Sequence, residues 1–458
     1  MKKTQNQFTS NLPTVLGLLL IYLFAPKLSA QEENGSYSYS LEEAIQHALT
    51  YNYSVINSGK DVEASYKKKW ETIAGGLPQI SASANYQDNI ALQESVVPAE
   101  FFGGNPGEFT SVAFGTKHSA SASAKLEQLI FDGSYIVGVK AAKTYLEFYK
   151  TSKQKTDIEV KEQVINAYGN VLLTEESIAI LERNKATLEK NRFETNERFI
   201  NGLAEEEDVE QLSITLASTN SALKNAVRLK DISINMLKLV LGIELEDNLA
   251  VTDKLEDLTN ANLDVAITGS GDFNIQSNID YKLGVNDQKQ KSLLVQQAKS
   301  AALPTLSSTL TFGYNGFNDK FKFTQKEQNW ADFSSISLNL NIPIFSSFAR
   351  RSRTQQAKIA LEQSKTRLTE LEQNLKLQHQ QAKSQYEFSV EEYITSKSSL
   401  RLAERIENKQ QTKFREGLSS SFELSEAQRQ LYTSQQNYLQ AMVDVINAKA
   451  ALQKLTAQ

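Results

Sequence analysis

Apolar and polar residues alternate strictly in four segments of the chain, and the four segments form two matched pairs. From Ile80 the even positions are Ile80, Ala82, Ala84 and Tyr86, while the odd positions are Ser81, Ser83, Asn85 and Gln87. A period of two belongs to a strand with one apolar and one wet face. The return strand puts Val112, Phe114, Ala120, Ala122, Ala124 and Leu126 on one face and Ser119, Ser121, Ser123, Lys125 and Glu127 on the other, with residues 91–111 as a loop between the two strands. The second pair rises through Leu306, Leu310, Phe312 and Tyr314 and returns through Ile336, Leu338, Leu340, Ile342 and Ile344, with Ser335, Ser337, Asn339 and Asn341 on the alternate face. Pro343 interrupts ladder pairing and marks the handover from strand to helix.

Elsewhere the period is helical. Ser40 and Glu43 form a capping box ahead of a helix expected from Leu41 toward Gly75. From Phe348 to Glu416 there is neither glycine nor proline, and one helix over that span would be roughly 100 Å long. Its apolar seam runs through Leu361, Leu368, Leu371, Leu375, Ala382, Tyr386, Val390, Tyr393, Leu400 and Ala403, at the three- and four-residue spacings of a coiled coil. The seam is narrow, so such a helix packs sideways on neighbours and leaves much of its surface wet. The stretch from Val139 to Asn201 matches it, with Gly169 inside.

These elements occur twice. Gly76, Leu77 and Pro78 reappear as Ala302, Leu303 and Pro304, Phe131 as Phe345, and Phe199, Gly202 and Leu203 as Phe414, Gly417 and Leu418, at an offset of about 215 to 226. The expected organisation is a first repeat over 31–242, a linker or equatorial segment over 243–277, and a second repeat over 278–458. The linker holds Glu244, Glu246 and Asp247 and a turn at Gly269, Ser270 and Gly271. Ahead of the repeats, Lys2 and Lys3, the apolar run Val15 to Phe24, and Leu28, Ser29 and Ala30 read as a signal peptide over 1–30. The apolar run is well short of the roughly twenty residues a membrane helix needs.

Composition narrows the function. Seven prolines and no cysteine in 458 residues exclude disulfide frameworks and thiolate metal sites. Without residues 1–30 the chain keeps 46 basic against 54 acidic residues, a balance that argues against nucleic acid as a partner. The three histidines, His47, His118 and His379, are scattered, and no nucleophile elbow, phosphate loop or metal-ligand spacing is present, so neither enzyme chemistry nor a cofactor is expected.

Four strands of about ten residues suit tilted membrane strands but cannot close a barrel. Lipid offers no partner to an unpaired edge, so closure requires several chains. Three chains give twelve strands and a lumen wide enough to conduct, whereas two give eight, which side chains fill. Phe101, Phe102, Phe109, Phe317, Phe321, Phe323, Trp330 and Phe333 lie near the strand ends, as interface girdles require. The alternative is a soluble periplasmic coiled-coil adaptor or structural protein with a β-sandwich tip.

With these features in order and in duplicate, the chain resembles the TolC-type outer membrane efflux proteins over essentially its whole length after residue 30. The resemblance rests on the opening Ser40 to Asn52, the junctions Leu129 to Gly133 and Ile342 to Ser347, and the tips at Phe199 and Phe414. It implies a mainly α fold with transmembrane β: a homotrimer whose 12-stranded β-barrel in outer membrane lipid continues into a 12-helix periplasmic α-barrel. Implied partners are a periplasmic adaptor (membrane fusion protein) and an inner membrane transporter, in efflux or type I secretion. The resemblance places Phe199, Gly202, Leu203, Phe414, Gly417 and Leu418 at the periplasmic tips, and carboxylates of the pore entrance at Glu423 and Glu426, with Asp208 from the first repeat. Glu205, Glu206 and Glu207 read instead as first-turn residues favoured by the helix dipole. The family's basic residue two positions after the second tip glycine is Ser419 here, which leaves Lys413 or Arg415 for any lock.

Overall fold

The computed structural model describes residues 35–263 and 273–456. The expected signal peptide and the turn at Gly269 to Gly271 lie outside the described residues.

Each repeat contributes a helix, a strand pair and a long helical hairpin. The first contains α1 (Leu41–Tyr51), α2 (Tyr53–Ala74), β2 (Gln79–Asp88), β5 (His118–Phe131), α3 (Gly133–Ile200) and α4 (Glu206–Leu241). The second contains α6 (Ile279–Ser300), β7 (Thr305–Asn318), β8 (Trp330–Asn341), α7 (Ala349–Arg415) and α8 (Ser421–Thr456). Corresponding helices agree closely in length, at 22 and 22, 68 and 67, and 36 and 36 residues. Four shorter strands complete the fold: β1 (Ser36–Tyr39) pairs in parallel with β6 (Asn248–Val251), and β3 (Glu94–Pro98) pairs with β4 (Phe109–Ala113). A short helix, α5 (Leu255–Ala261), follows β6.

Three details differ from the sequence expectation. The helix from Leu41 breaks at Asn52, whose side chain accepts from the backbone N–H groups of Ser54 (2.8 Å) and Val55 (3.3 Å) and donates to Val240 O (2.7 Å). Asn52 therefore caps α2 and ties it to the end of α4. The expected loop over 91–111 contains most of the β3–β4 hairpin, so Val112 belongs to β4 and the return strand proper begins at His118. Beyond β8, Ile342 and Ile344 continue the alternation in sequence but not the ladder.

The main sheet is antiparallel in the order β2-β5-β7-β8. Its register sets Ala84 opposite Ala122, Ala122 opposite Tyr314, and Tyr314 opposite Asp332, so even-numbered residues of all four strands share one face. That face carries Ile80, Leu126, Leu310, Phe312, Ile336, Leu338 and Leu340. The opposite face carries serine, threonine and asparagine with the Lys125–Glu127 ion pair. Among the described residues no helix covers the apolar face, and Ile336 and Leu338 are 74% and 69% exposed.

Each strand adjoins a helix: α2 and α6 precede β2 and β7, α3 follows β5 after Asp132, and α7 follows β8 after residues 342–348. The helix row α2-α3-α6-α7 therefore repeats the strand row. Tyr135 Oη at the start of α3 donates to Ile73 O at the end of α2 (2.9 Å), and a Cβ on Gly133 would meet Leu303 Cδ1 at 2.7 Å, so these junctions are closely packed. Gly169, by contrast, does not interrupt α3.

The core lies midway along the long helices. There Tyr168, Val164, Tyr386 and Tyr393 of α3 and α7 meet the ends of α4 and α8, α1, and Leu255 of α5. Residues 243–261 thus contribute packed elements at this level. Tyr168 Oη donates toward Tyr39 O and Asp253 Oδ2 (both 3.0 Å) and accepts from Thr252 N and Asp253 N (both 3.2 Å). Asp253 Oδ2 also accepts from Leu41 N at 2.7 Å. One buried phenol therefore links the midpoint of α3 to the start of α1 and the end of β6, and burial raises its pKa to about 12.

Two positive-φ glycines give a test of this packing. At Gly242 (φ +77) a Cβ would lie 2.2 Å from Tyr51 O, whereas at Gly202 (φ +72) it would meet open space. Gly202→Ala should cost only the left-handed penalty of roughly 1–2 kcal/mol, and Gly242→Ala about 3 kcal/mol or more because backbone must move. Denaturant unfolding followed by helical circular dichroism should rank them in that order; equal losses would mean that the α1–α4 contact is not tight.

Candidate functional site

The two helical reversals have the same local chemistry. At the first, Leu203 N donates to Arg198 O (2.8 Å) and Gly202 N to Phe199 O (2.9 Å); at the second, Leu418 N donates to Lys413 O (2.8 Å) and Gly417 N to Phe414 O (3.1 Å). These are paired Schellman closures, each with glycine in the left-handed region, at φ +72 and φ +73. Both stop a helix of nearly seventy residues and send the chain back. Leu203 and Leu418 then stand out at the tips, 69% and 76% exposed. Phe199 is also exposed, while Phe414 turns inward onto a small core of Leu188, Leu212 and Leu424.

Side chains of the first reversal hold the second. Arg198 Nη1 donates to Phe414 O and Arg415 O, both at 3.3 Å, at the carbonyl end of α7. Asp208 Oδ1 accepts from Ser421 N at 3.3 Å, at the amide end of α8. A cation at a C-terminus and an anion at an N-terminus each gain from the helix dipole, by about 0.3–1 kcal/mol. Among the described residues Lys413 forms no ion pair within 4 Å, and Arg415 reaches Glu194 only at 3.9 Å. The basic residue that reaches across from the first reversal to the second is Arg198, in the last turn of α3, alongside the Asp208 bond.

The sequence-selected carboxylates occupy defined places. Glu423 Oε2 accepts from Ser419 Oγ (2.9 Å) and Ser420 N (3.1 Å), while Glu423 N donates to Ser420 Oγ (3.3 Å). The Ser419 hydroxyl and then the Ser420 amide hold its carboxyl below the usual range. The stability it adds is present above the ordinary carboxylate pKa and is lost as pH falls through the lowered value. Glu426 pairs with Arg429. Glu423 and Glu426 share the exposed face of α8, and Leu424, Ala427 and Gln428 are on its buried face. Glu206 and Glu207 sit in the first turn of α4 with Asp208, and Glu205 precedes it without capping through its side chain.

Above the tips lies a polar layer. Glu407, Gln428, Asn191 and Thr195 are all buried. Gln411 Nε2 donates to Asn191 Oδ1 at 3.2 Å, and Asn191 Nδ2 has no hydrogen-bond partner among the described residues. Burial raises the Glu407 carboxyl above its ordinary range, against smaller lowering effects from Gln428 and the Arg415 charge. Burial, with the nearby Glu407 charge, also raises the Tyr432 hydroxyl. An unpaired buried group costs about 1–3 kcal/mol, and Asn191 Nδ2 beside the tips is one such group. The α7 seam contained the signal for this layer, because the step after Leu400 and Ala403 falls on Glu407.

Among the described residues no group of three or more His, Cys, Asp or Glu side chains could hold a metal ion, and no helix is long and apolar enough to cross a membrane.

The family model described as outer membrane efflux protein matches residues 287–458. In fold, the chain is similar to the Campylobacter jejuni CmeC outer membrane channel, at a TM-score of 0.71 and 16% identity, over 91% of this chain and 85% of that one. The Vibrio cholerae outer membrane protein VceC gives 0.68 and 13% identity over 91% and 95% of the two chains. The open state of the Neisseria gonorrhoeae MtrE outer membrane channel gives 0.67 and 17% identity over 91% and 88%. No curated protein matches in sequence. The sequence match to that family is thus confined to residues 287–458, while the likeness in fold extends over 91% of the chain.

The raised Glu407 pKa sets a pH dependence. The folded tip binds its proton more tightly than the unfolded chain, so Glu407 favours the packed tip at acid pH, and that contribution fades as pH rises through the raised value. Glu407→Gln should slow amide exchange around Leu188, Leu212 and Leu424 at pH 8 relative to the parent and leave it little changed at pH 5. Equal exchange in both proteins at both pH values would remove Glu407 as the source of tip weakness.

Proposed function

We propose that the protein is the outer membrane channel component of a tripartite efflux or type I secretion system, a passive conduit for what an inner membrane transporter delivers. The observation that carries this reading is the four-stranded sheet, apolar on one face, polar on the other and, among the described residues, unpaired at the outer edges of β2 and β8, each strand adjoining one helix of a matching row. Twelve residues of β8 reach roughly 40 Å along the strand, which at the usual tilt covers about 30 Å of hydrocarbon. Helices of 68 and 67 residues extend the same wall by roughly 100 Å.

Three protomers close twelve strands into a barrel and set twelve helices around a tunnel. In this homotrimer the serine, threonine and asparagine face lines the lumen, and the apolar face meets outer membrane lipid. The exposed area supports assembly: the chain presents 30240 Å², against roughly 17,000 Å² for a compact monomer of its mass. The tips at Gly202 and Gly417, with Leu203 and Leu418 protruding, project into the periplasm and offer apolar knobs to a periplasmic adaptor. Glu423 and Glu426, with Asp208 beside them, give the entrance a negative ring that favours cations.

The test is the mass of the protein extracted from membranes in mild detergent, followed by conductance in planar bilayers. Three chains per particle, a cation-selective pore, and weakened selectivity in Glu423→Gln/Glu426→Gln are expected. Release without detergent as a monomer would favour a soluble periplasmic adaptor instead. A trimer whose selectivity ignores both substitutions would remove those residues from the entrance.

A further inference from the structure

The helix-proximal rim of the sheet carries a charge that the rest of the chain does not. Residues 64–74, 133–143, 290–300 and 349–359 are the membrane-side ends of α2, α3, α6 and α7, the row that continues the sheet. They contain eleven basic residues and one acidic residue, Glu71, in a chain whose formal net charge is −5.

Local stability does not explain this. Lysine near the C-terminal ends of α2 and α6 suits the helix dipole, but α3 and α7 begin at this rim, where basic residues are disfavoured. Arg350, Arg351 and Arg353 occupy the first two turns of α7 against that gradient. Among the described residues none of the three, nor Lys299 at the end of α6, has a carboxylate within 4 Å. Arg351 and Arg353 are exposed, and just ahead of them Phe345 and Phe348 are exposed, with ring centroids 6.1 Å apart and edge to face. Unneutralised arginine beside exposed aromatic rings, at the level where an apolar sheet gives way to wet helices, has the composition of a headgroup-level interface.

We propose that this rim binds the phosphates of anionic phospholipids in the leaflet from which the helices emerge. The inference rests on the membrane-spanning reading of the sheet. The lipid phosphate takes the place of the missing carboxylates, and Phe345 and Phe348 lie at the boundary between acyl chain and headgroup. A basic residue at such a surface gains attraction that decays within a Debye length, so the interaction is salt-sensitive.

The test uses the full chain inserted into vesicles of phosphatidylcholine alone or with phosphatidylglycerol, then extracted gently and assayed for co-purifying lipid. The parent should retain phosphatidylglycerol in preference to phosphatidylcholine. Arg350→Gln/Arg351→Gln/Arg353→Gln should lose that preference by on the order of fivefold per arginine at low salt. Lys320→Gln/Lys322→Gln, at the opposite end of the sheet, should keep it. Insertion without any lipid preference, or a preference unchanged in the triple variant, would overturn the rim and leave the channel reading intact. A triple variant that changed pore selectivity while keeping its lipid would place the arginines in the lumen and overturn it equally. Failure to enter either vesicle would overturn both readings.

Discussion

An unpaired strand edge is the constraint on which the rest of the structure depends. The outer edges of β2 and β8 present a row of backbone N–H and C=O groups with no strand partner among the described residues. In water such an edge invites aggregation, and in hydrocarbon each open group costs several kcal/mol. The apolar face of the same sheet adds a second demand, since exposed isoleucine, leucine or phenylalanine forgoes about 1.5–3 kcal/mol per side chain. Lipid satisfies the face but not the edge. Another copy of the sheet would satisfy the edge, so the proposed membrane span and the proposed oligomer rest on one geometry.

The helices carry that geometry away from the sheet. Because α2, α3, α6 and α7 continue β2, β5, β7 and β8 in the same order, the spacing of the strands is handed directly to a wall of helices. Duplication makes this economical, because one hairpin-and-helix design used twice supplies all four wall positions. The midway core around Tyr168 and Asp253 then locks the two repeats together where α4 and α8 end. Stability is therefore concentrated at mid-height. It thins toward the tips, where three leucines and a polar layer hold the hairpins.

Most of the fold was legible in the sequence, and the reasons are physical. Strict alternation around Ile80, Ala122, Phe312 and Leu338 identified the strands, because a one-residue slip would turn every side chain to the wrong face. The seam from Leu361 to Ala403 identified α7, and each of its residues is at least partly buried. Gly202 and Gly417 marked the reversals because a left-handed turn is cheap only for glycine. What escaped depended on long-range partners. Asn52 reads as a helix residue until its bond to Val240 is known, and Asp253 as a linker acid until Tyr168 meets it. Arg198 has no local signal beyond its place in a last turn, since its acceptors lie in the other repeat. The β3–β4 hairpin was hidden because its five-residue strands are too short for alternation to stand out.

The central claim is that β2 of one protomer completes its ladder on β8 of the next. The chain has no native cysteine, so paired cysteines can be introduced along the two edges without background. With one cysteine fixed on β8 and a second moved along β2, oxidation in the membrane should give covalently linked trimers, with the yield alternating from residue to residue as side chains change face. Cross-links only within single chains, or a yield that does not depend on position, would mean that the sheet edges meet no neighbouring protomer and that the barrel is not built this way.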